Sequence, residues 1–287
     1  MIAGHQPIHI VTDSGAHFPS AAPPITILPN RLTIQGRVFR EGIDLDAEEA
    51  IRLISHQPTA PHIEPPSVAE YQETYERLAR AGGAIISLHP SRTISKSWEN
   101  AKAAAETLLG HTRLEVIDSA SISTALALLV MMASRMAAQN DDFDEIVRSV
   151  RSAIDRVYAV FYVETMDYLV QNGFMSPSHG ILGTMLGTKT FVTMENGELH
   201  LMEKVRTRIQ AVERLAEFAS EFTDLDEAVL LQHKPYPNDT ARMLQDRLAV
   251  DFPNQPFPSA LYGASLAALI GADATGLVIL ESESGRE

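Results

Sequence analysis

The sequence predicts an α/β protein of two lobes, the first built on a parallel α/β/α sheet and the second on a mixed sheet. The chain has 287 residues, which suits two domains of roughly 100 to 200 residues better than one hydrophobic core. In the first half, apolar runs of strand length alternate with helical segments, as βαβ units require. In the second half, an Asn-Gly pair between two apolar runs predicts a hairpin and therefore antiparallel strands.

The first lobe, residues 1–156, opens with an apolar strand at 8–11 that ends in the polar turn Thr12-Asp13-Ser14-Gly15. Ser67, with Glu70 three residues later, predicts the capping-box start of a helix over 69–81. An alanine-rich segment without proline or glycine predicts a second helix over 96–109. The other predicted elements are strands at 25–28, 84–88 and 114–117, and helices at 48–55, 124–138 and 144–155.

The second lobe, residues 157–287, begins with a β-rich run at 158–163. The strands 190–194 and 199–203 flank Glu195-Asn196-Gly197-Glu198, whose Asn-Gly pair is the strongest short hairpin signal in the chain. We interpret Gly180, Gly183 and Gly187 as sites of close backbone packing around an apolar pocket, because the Gly-Lys-Ser ending of a phosphate-binding loop is absent. The remaining predicted elements are helices at 207–220 and 239–247 and strands at 228–232 and 276–280.

Composition excludes several classes of function. A hydrophobic fraction of 45% and a charged fraction of 21% are ordinary for a folded protein, and a net charge of -14 disfavours nucleic acid and anionic membranes as partners. The chain has no cysteine, and its 10 histidines are scattered, so we expect no disulfide, no metal site and no cofactor. The N-terminus lacks the pattern of a signal peptide, and Arg135 interrupts the most apolar stretch. We therefore expect a cytoplasmic protein, with a monomer as the default state.

Five motifs occur in an order and spacing typical of one family. They are Val11-Thr12-Asp13-Ser14, Leu28-Pro29 with Leu32-Thr33-Ile34-Gln35-Gly36, Val116-Ile117-Asp118-Ser119, Asp167-Tyr168-Leu169 with Asn172-Gly173, and Lys204-Val205-Arg206-Thr207. Together they resemble the DegV family of fatty-acid-binding proteins along nearly the whole chain. The resemblance implies a DegV-like fold that buries a long-chain fatty acid or other acyl lipid, performs no catalysis, and presents the lipid to a separate ATP-dependent fatty-acid kinase.

The chain departs from this family at the lipid carboxylate. The family anchors the carboxylate with a threonine, a serine in a Ser-Gly-Thr stretch, an arginine and a late histidine. In this sequence Ile63 aligns with the threonine, Phe174 with the arginine and Leu269 with the histidine. Ser95 and Ser97 keep the two hydroxyl positions of the Ser-Gly-Thr stretch, while Lys96 replaces its glycine.

Two hypotheses account for this change. In the first, Lys96, Arg92 or His62 supplies a replacement cation for the carboxylate. In the second, the ligand has an uncharged head, which would suit the apolar positions and avoid repulsion by Glu64. The predicted ligand-binding residues are Ser95, Ser97, Lys96, Ile63, His62, Phe174, Leu269 and Arg92.

Other classes of function stay as alternatives. One is a degenerate relative that acts as a protein-interaction module or binds a neutral apolar ligand. A phosphatase is disfavoured because Gly15 stands where the second carboxylate after Asp13 would be needed, and a hydrolase because no Gly-x-Ser-x-Gly elbow surrounds Ser95. Arg206 and Arg208 open a predicted helix, where the macrodipole disfavours cations. This pair is either a surface for a partner kinase or a solvated helix start.

Overall fold

A computed structural model describes residues 7–140, 142–176 and 189–283 of the chain. The strands in these residues are β1 (Ile8–Asp13), β2 (Thr26–Leu28), β3 (Arg31–Ile34), β4 (Arg37–Arg40), β5 (His62–Glu64), β6 (Ala84–His89), β7 (Leu114–Asp118), β8 (Val157–Val163), β9 (Lys189–Glu195), β10 (Glu198–Val205), β11 (Leu225–Gln232), β12 (Ser259–Leu261) and β13 (Ala274–Glu281). The helices are α1 (Ala47–Ile54), α2 (Val68–Ala81), α3 (Ser97–Glu106), α4 (Thr124–Ala138), α5 (Phe143–Ile154), α6 (Asp167–Gln171), α7 (Arg208–Ala219), α8 (Asp239–Asp251) and α9 (Ala264–Ile270).

The first sheet has the strand order β2-β1-β6-β7, and all three neighbouring pairs are parallel. This confirms the predicted parallel sheet. Parallel neighbours need crossover connections, and α3 connects β6 to β7 in this way. The capping box that begins α2 is also confirmed, because Ser67 and Glu70 exchange side-chain-to-backbone hydrogen bonds.

A second, antiparallel sheet has the order β4-β3-β5 and was absent from the sequence prediction. Its strands are only three or four residues long, too short for a period of two to be recognised. Gln35 and Gly36 both have positive φ angles, 52° and 75°, as a two-residue hairpin turn between β3 and β4 requires. The sheet fixes Ile63 in β5 opposite Leu32 in β3.

The third sheet is mixed, with the order β10-β9-β8-β13-β11-β12. Only the β11–β12 pair is parallel; the other neighbouring pairs are antiparallel. The predicted hairpin is confirmed, with Asn196 and Gly197 at φ angles of 51° and 83° between β9 and β10. The prediction of a mixed sheet in the second half is therefore confirmed as well.

Helix α4 lies between the two larger sheets and packs against strands of both. Its residues 124–130 are all buried, which is the behaviour expected of a helix that is apolar on every side. Helices α2 and α3 cover the opposite face of the parallel sheet, and α7 and α8 cover the opposite face of the mixed sheet. Through α4, the layers are therefore helices, sheet, helix, sheet and helices, and α5 packs beside α4.

The largest hydrophobic cluster contains side chains from both large sheets, including Ile86 and Val278, together with α4. The division of the chain at residue 156 stays a prediction. In the described residues, no helix combines the length and apolar composition needed to cross a membrane.

Candidate functional site

The loop between β6 and α3 carries the serine that the sequence placed at the ligand head. The N–H groups of Ile94 and Ser95 both donate to the carbonyl of Ser91 at 2.9 Å, which fixes a tight turn. Ser95 is half-buried, and its Oγ accepts a hydrogen bond from the N–H of Ser97 at 3.2 Å. Its own O–H has no acceptor in the described part of the chain. Ser95 therefore keeps a hydrogen-bond donor free for a ligand.

The β9–β10 turn of the mixed sheet holds this loop in place. The carbonyl oxygen of Gly197 accepts from Ser91 Oγ at 2.7 Å and also from Thr93 Oγ1. Only glycine fits here, because a Cβ at this position would lie 2.6 Å from Ser91 Oγ and the φ angle is positive. The Asn-Gly pair that predicted the hairpin also positions the loop that carries Ser95.

Three apolar residues occupy the positions where the resemblance would have polar anchors. Leu269 lies in α9 and is a buried member of the largest hydrophobic cluster, while Ile63 and Phe174 are partly buried and pack against the same cluster. Ile94, one residue before Ser95, packs against it as well. Helix α9 contacts both β5, which carries Ile63, and α6, which precedes Phe174, whereas Ile94 is linked to them only through the same large cluster. We call Ile63, Ile94, Phe174 and Leu269 the apolar junction.

Two polar contacts position α9 in this junction. The side-chain amide of Asn172 donates to the carbonyl of Ala268 at 3.0 Å, which fixes the segment before Phe174 against α9. At the other end of α9, Glu41 accepts from the backbone N–H of Ser265 at 2.7 Å and from its hydroxyl at 2.5 Å. Burial raises the pKa of the Glu41 carboxyl, and its hydrogen bonds only partly oppose this. No sequence signal connected Glu41, before α1, with a serine more than 200 residues away.

The three candidate cations lie on the surface. Arg92 is exposed, forms an ion pair with Asp118 at 3.6 Å and covers the ring of Trp98. Lys96 is exposed at the start of α3, and His62 is exposed in β5. None of these side chains is buried in the apolar junction.

Ser97 lies in a different environment from Ser95. It is fully buried, and its Oγ donates to Asp13 Oδ2 at 2.6 Å and lies 2.8 Å from the Tyr71 hydroxyl. Asp13 Oδ2 also lies 3.0 Å from His89 Nδ1. The structure thus places the Ser97 hydroxyl inside a closed network, away from any surface that a ligand could reach.

This network continues through β6. Ser87 Oγ lies 2.7 Å from His89 Nε2 and accepts from the Tyr75 hydroxyl at 2.8 Å. Burial, and then the charge of Asp13, raise the pKa of Tyr71, so its hydroxyl stays protonated. We call the whole set the Asp13 cluster; its members are Asp13, Tyr71, Tyr75, Ser87, His89 and Ser97.

Within the Asp13 cluster, Ser87, His89 and Asp13 follow the hydrogen-bond order of a catalytic triad. All three side chains are fully buried, and the Ser87 oxygen is bonded to Tyr75 as well as to the histidine. A nucleophile needs an approach for its substrate, and the described structure offers none to Ser87. The arrangement has the properties of a satisfied core network.

Only part of this arrangement is predictable from the sequence. Asp13 is predicted to be a turn residue, and its Oδ1 does accept from the N–H of Gly15 at 2.8 Å. Two sequence patterns indicate the other members of the Asp13 cluster. Ser87 and His89 lie two residues apart in a buried strand and so share one face of it, and Tyr71 and Tyr75 lie four residues apart on one helix face. The predicted close packing at Gly180, Gly183 and Gly187 lies outside the described residues.

Comparisons with known proteins agree with this architecture. The model of the DegV family, a family of uncharacterised proteins, matches residues 7–282. A DegV domain-containing protein of Streptomyces coelicolor is 30% identical over 270 residues, covering 92% of this chain and 94% of the relative.

Two solved structures share the fold. A fatty acid binding DegV family protein from Streptococcus agalactiae has a TM-score of 0.85 and 24% identity, covering 96% of this chain and 99% of that chain. The Fatty Acid Kinase B3 protein of Streptococcus pneumoniae, loaded with linoleic acid, has a TM-score of 0.84 and 21% identity, covering 96% and 100%.

Proposed function

This chain belongs to the DegV family, and we propose that it binds a long-chain fatty acid or a related acyl lipid and presents it to a partner protein without catalysing a reaction itself. One observation supports the proposal: Ile94 packs against the hydrophobic cluster that contains Leu269, and the next residue, the half-buried Ser95, has an O–H without an acceptor in the described part of the chain. An apolar region with one free polar donor at its edge suits a ligand with a long tail and a small head.

The tail supplies most of the binding free energy in this proposal. Each buried methylene contributes about 0.8 kcal/mol, so roughly fifteen methylenes give a gross contribution on the order of 12 kcal/mol before the entropic costs of binding. Loss of a charged anchor at the head costs several kcal/mol if a carboxylate is buried without a partner. Tail burial can therefore outweigh the altered head site.

The surroundings of the head favour an uncharged polar group over a carboxylate. Ile63, Phe174 and Leu269 offer neither a positive charge nor a hydrogen-bond donor from their side chains. Arg92 is held by Asp118, and Lys96 is exposed. A neutral hydroxyl, ester or amide head would need only the Ser95 hydroxyl. A fatty acid would need Lys96 to turn inward.

The proposed partner is a kinase that acts on the head of the lipid. The resemblance of the chain to fatty-acid-binding relatives supports this role, as does the name of the Streptococcus pneumoniae protein. The loop that carries Ser95 also carries exposed Arg92 and Lys96, so a partner could reach the ligand head from this side. In this proposal the protein works in the cytoplasm, where ATP for the kinase is present. It acts as a monomer.

Native mass spectrometry of the purified protein, followed by extraction and identification of the released lipid, tests the proposal. We expect one acyl lipid per chain, and a Ser95→Ala variant should lose it more readily than an Arg206→Ala control. A free fatty acid would support the inward-turned Lys96, and a neutral lipid would support the uncharged head. A chain that stays empty after incubation with both classes would contradict the carrier function and favour the interaction module.

Enzymatic activity is a separate outcome of the same preparation. Incubation with a long-chain acyl ester should give no sustained turnover, since Ser87 is closed off in the Asp13 cluster. Turnover that disappears in a Ser87→Ala variant would overturn the non-enzymatic part of the proposal.

A further inference from the structure

A polar cavity of about 270 Å³ opens at one edge of the mixed sheet, and it shares no lining residue with the predicted lipid site. Strands β10, β8 and β11 run in the same direction. Strand β9 lies antiparallel between β10 and β8, and β13 lies antiparallel between β8 and β11. The cavity lies where β8 and β11 end and where α7 and α8 begin. Its lining residues are Tyr162, Glu164, Arg208, His233, Lys234, Asn238, Asp239, Thr240, Asp273 and Thr275. The carboxyl edge of parallel strands is a common place for ligands in α/β sheets.

Two helix N-termini meet at this cavity. Arg208 is the first residue of α7, which has 12 residues, and Asp239 is the first residue of α8, which has 13. The Asn238 side chain caps α8 by accepting from the N–H of Ala241 at 2.8 Å. The N–H groups of Asp239 and Thr240 have no hydrogen-bond partner in the described part of the chain. Free N–H groups and the positive ends of two macrodipoles both favour an anion.

Two cations face the same space without a counter-ion. Arg208 occupies a helix start, where its charge is electrostatically disfavoured, and Lys234 lies in the loop before α8. Neither forms an ion pair with a carboxylate of the described residues.

Three carboxylates also line the cavity. Glu164 is ion-paired with Lys189. Asp273 Oδ1 lies 3.3 Å from His233 Nδ1, but burial lowers the pKa of His233, so the neutral imidazole leaves the charge of Asp273 in place. Asp239 is exposed in the first turn of α8, where the helix itself favours a carboxylate. An anion in the cavity therefore depends on the two cations and the helix N–H groups together to outweigh Asp239 and Asp273.

Two threonines that are more than nine-tenths buried provide an independent observation. Thr240 is 7% exposed and Thr275 is 5% exposed, and both line the cavity. Neither hydroxyl has a hydrogen-bond partner in the residues that the structure describes. Neither oxygen is among the fully enclosed unpaired atoms, so both are open to the cavity and can donate to a bound molecule.

We propose that this cavity binds the phosphate group of a small molecule, at a site separate from the lipid. Arg208 binds two phosphate oxygens through its planar guanidinium, and Lys234 supplies a second charge. The N–H groups at the start of α8 and the two threonine hydroxyls donate to the remaining oxygens. The volume is below the roughly 300 to 1,000 Å³ of sites for drug-sized ligands, so the ligand is a phosphate with a small body.

Isothermal titration calorimetry with inorganic phosphate and with pyrophosphate, at constant ionic strength and pH 8, tests this site. We expect saturable binding at one site, about tenfold or more weaker in Arg208→Ala. Arg206→Ala is the matched control, because it removes the same charge two residues earlier from a side chain that does not line the cavity. This control should bind like the unmodified protein.

Further variants separate a built site from general charge attraction. Lys234→Ala, in an exposed loop, should weaken binding without changing the melting temperature, and the double variant Thr240→Val with Thr275→Val should weaken it while keeping the net charge. Absence of saturable binding would overturn the proposal. Equal losses in Arg206→Ala and Arg208→Ala would also overturn it, because they would show attraction by net charge alone.

Discussion

Ser95 and Ser97 are two residues apart, yet they belong to two regions with opposite hydrogen-bond character. Ser97 is part of the Asp13 cluster, in which the hydroxyls, the imidazole and the carboxylate are all bonded to one another. Ser95 follows Ile94 of the apolar junction, and its O–H has no acceptor among the residues that the structure describes. A half-buried polar group with unused bonding capacity is thus a candidate ligand contact, whereas a fully satisfied buried group contributes to the structural core.

The largest effect should come from removing the centre of the Asp13 cluster. Asp13→Ala leaves the partners of a buried carboxylate without an acceptor, so we expect the free energy of unfolding to fall by about 3–5 kcal/mol in urea denaturation. Asp118→Ala is the matched control, because Asp118 also ends a strand and accepts from a turn N–H, at 2.9 Å, but is only partly buried. Similar losses in the two variants would show that the Asp13 cluster contributes no more than a turn.

The two serines should respond in opposite ways to the same substitution. Ser97→Ala should lower the free energy of unfolding by about 1–3 kcal/mol, because Asp13 loses its shortest donor, and should leave lipid affinity unchanged. Ser95→Ala should change stability by less than about 0.5 kcal/mol and weaken lipid binding about five- to tenfold. Denaturation and lipid titration of both variants measure the two effects. A loss of affinity only in Ser97→Ala would reverse the comparison.

A cation placed in the apolar junction should change the preferred head group. Phe174→Arg should increase the preference for a fatty acid over the fatty alcohol of the same length by about tenfold, because a nearby positive charge favours the ionised carboxylate. Competition between the two lipids measures the ratio, and Phe174→Leu serves as the uncharged control. An unchanged ratio in Phe174→Arg would place the lipid head away from the apolar junction.

The smallest effect is expected at a partly exposed ion pair outside both regions. Arg31 bonds to Glu70, and this interaction lowers the pKa of the Glu70 carboxyl to about 2. A carboxyl whose pKa is lower in the folded protein stabilises the fold at pH values above its ordinary pKa. That contribution to the free energy of unfolding is lost as the pH falls through about 2. Because the pair is partly exposed, Arg31→Ala should cost less than about 1 kcal/mol at pH 7, and the difference from the unmodified protein should shrink towards pH 2. A constant difference across this range would contradict the assignment.

Local patterns were enough to predict much of the architecture. The Ser67 capping box, the Asn196-Gly197 hairpin and the alternation of apolar strands with helices depend on neighbours in sequence, and each is confirmed. The short sheet that carries Ile63 was not predicted, because its three- and four-residue strands are defined by pairing and not by periodicity.

The fold class and the order of the longer strands and helices follow from the sequence, because they depend on residue type and local pattern. The exchange of polar anchors for Ile63, Phe174 and Leu269 stays a prediction. Tertiary packing brings Ser97 to Asp13 and Glu41 to Ser265, and it leaves the Ser95 O–H without an acceptor among the described residues. Hydrogen bonds between residues far apart in the chain depend on how sheets and helices pack, and burial decides whether a polar group must find its partner inside the protein.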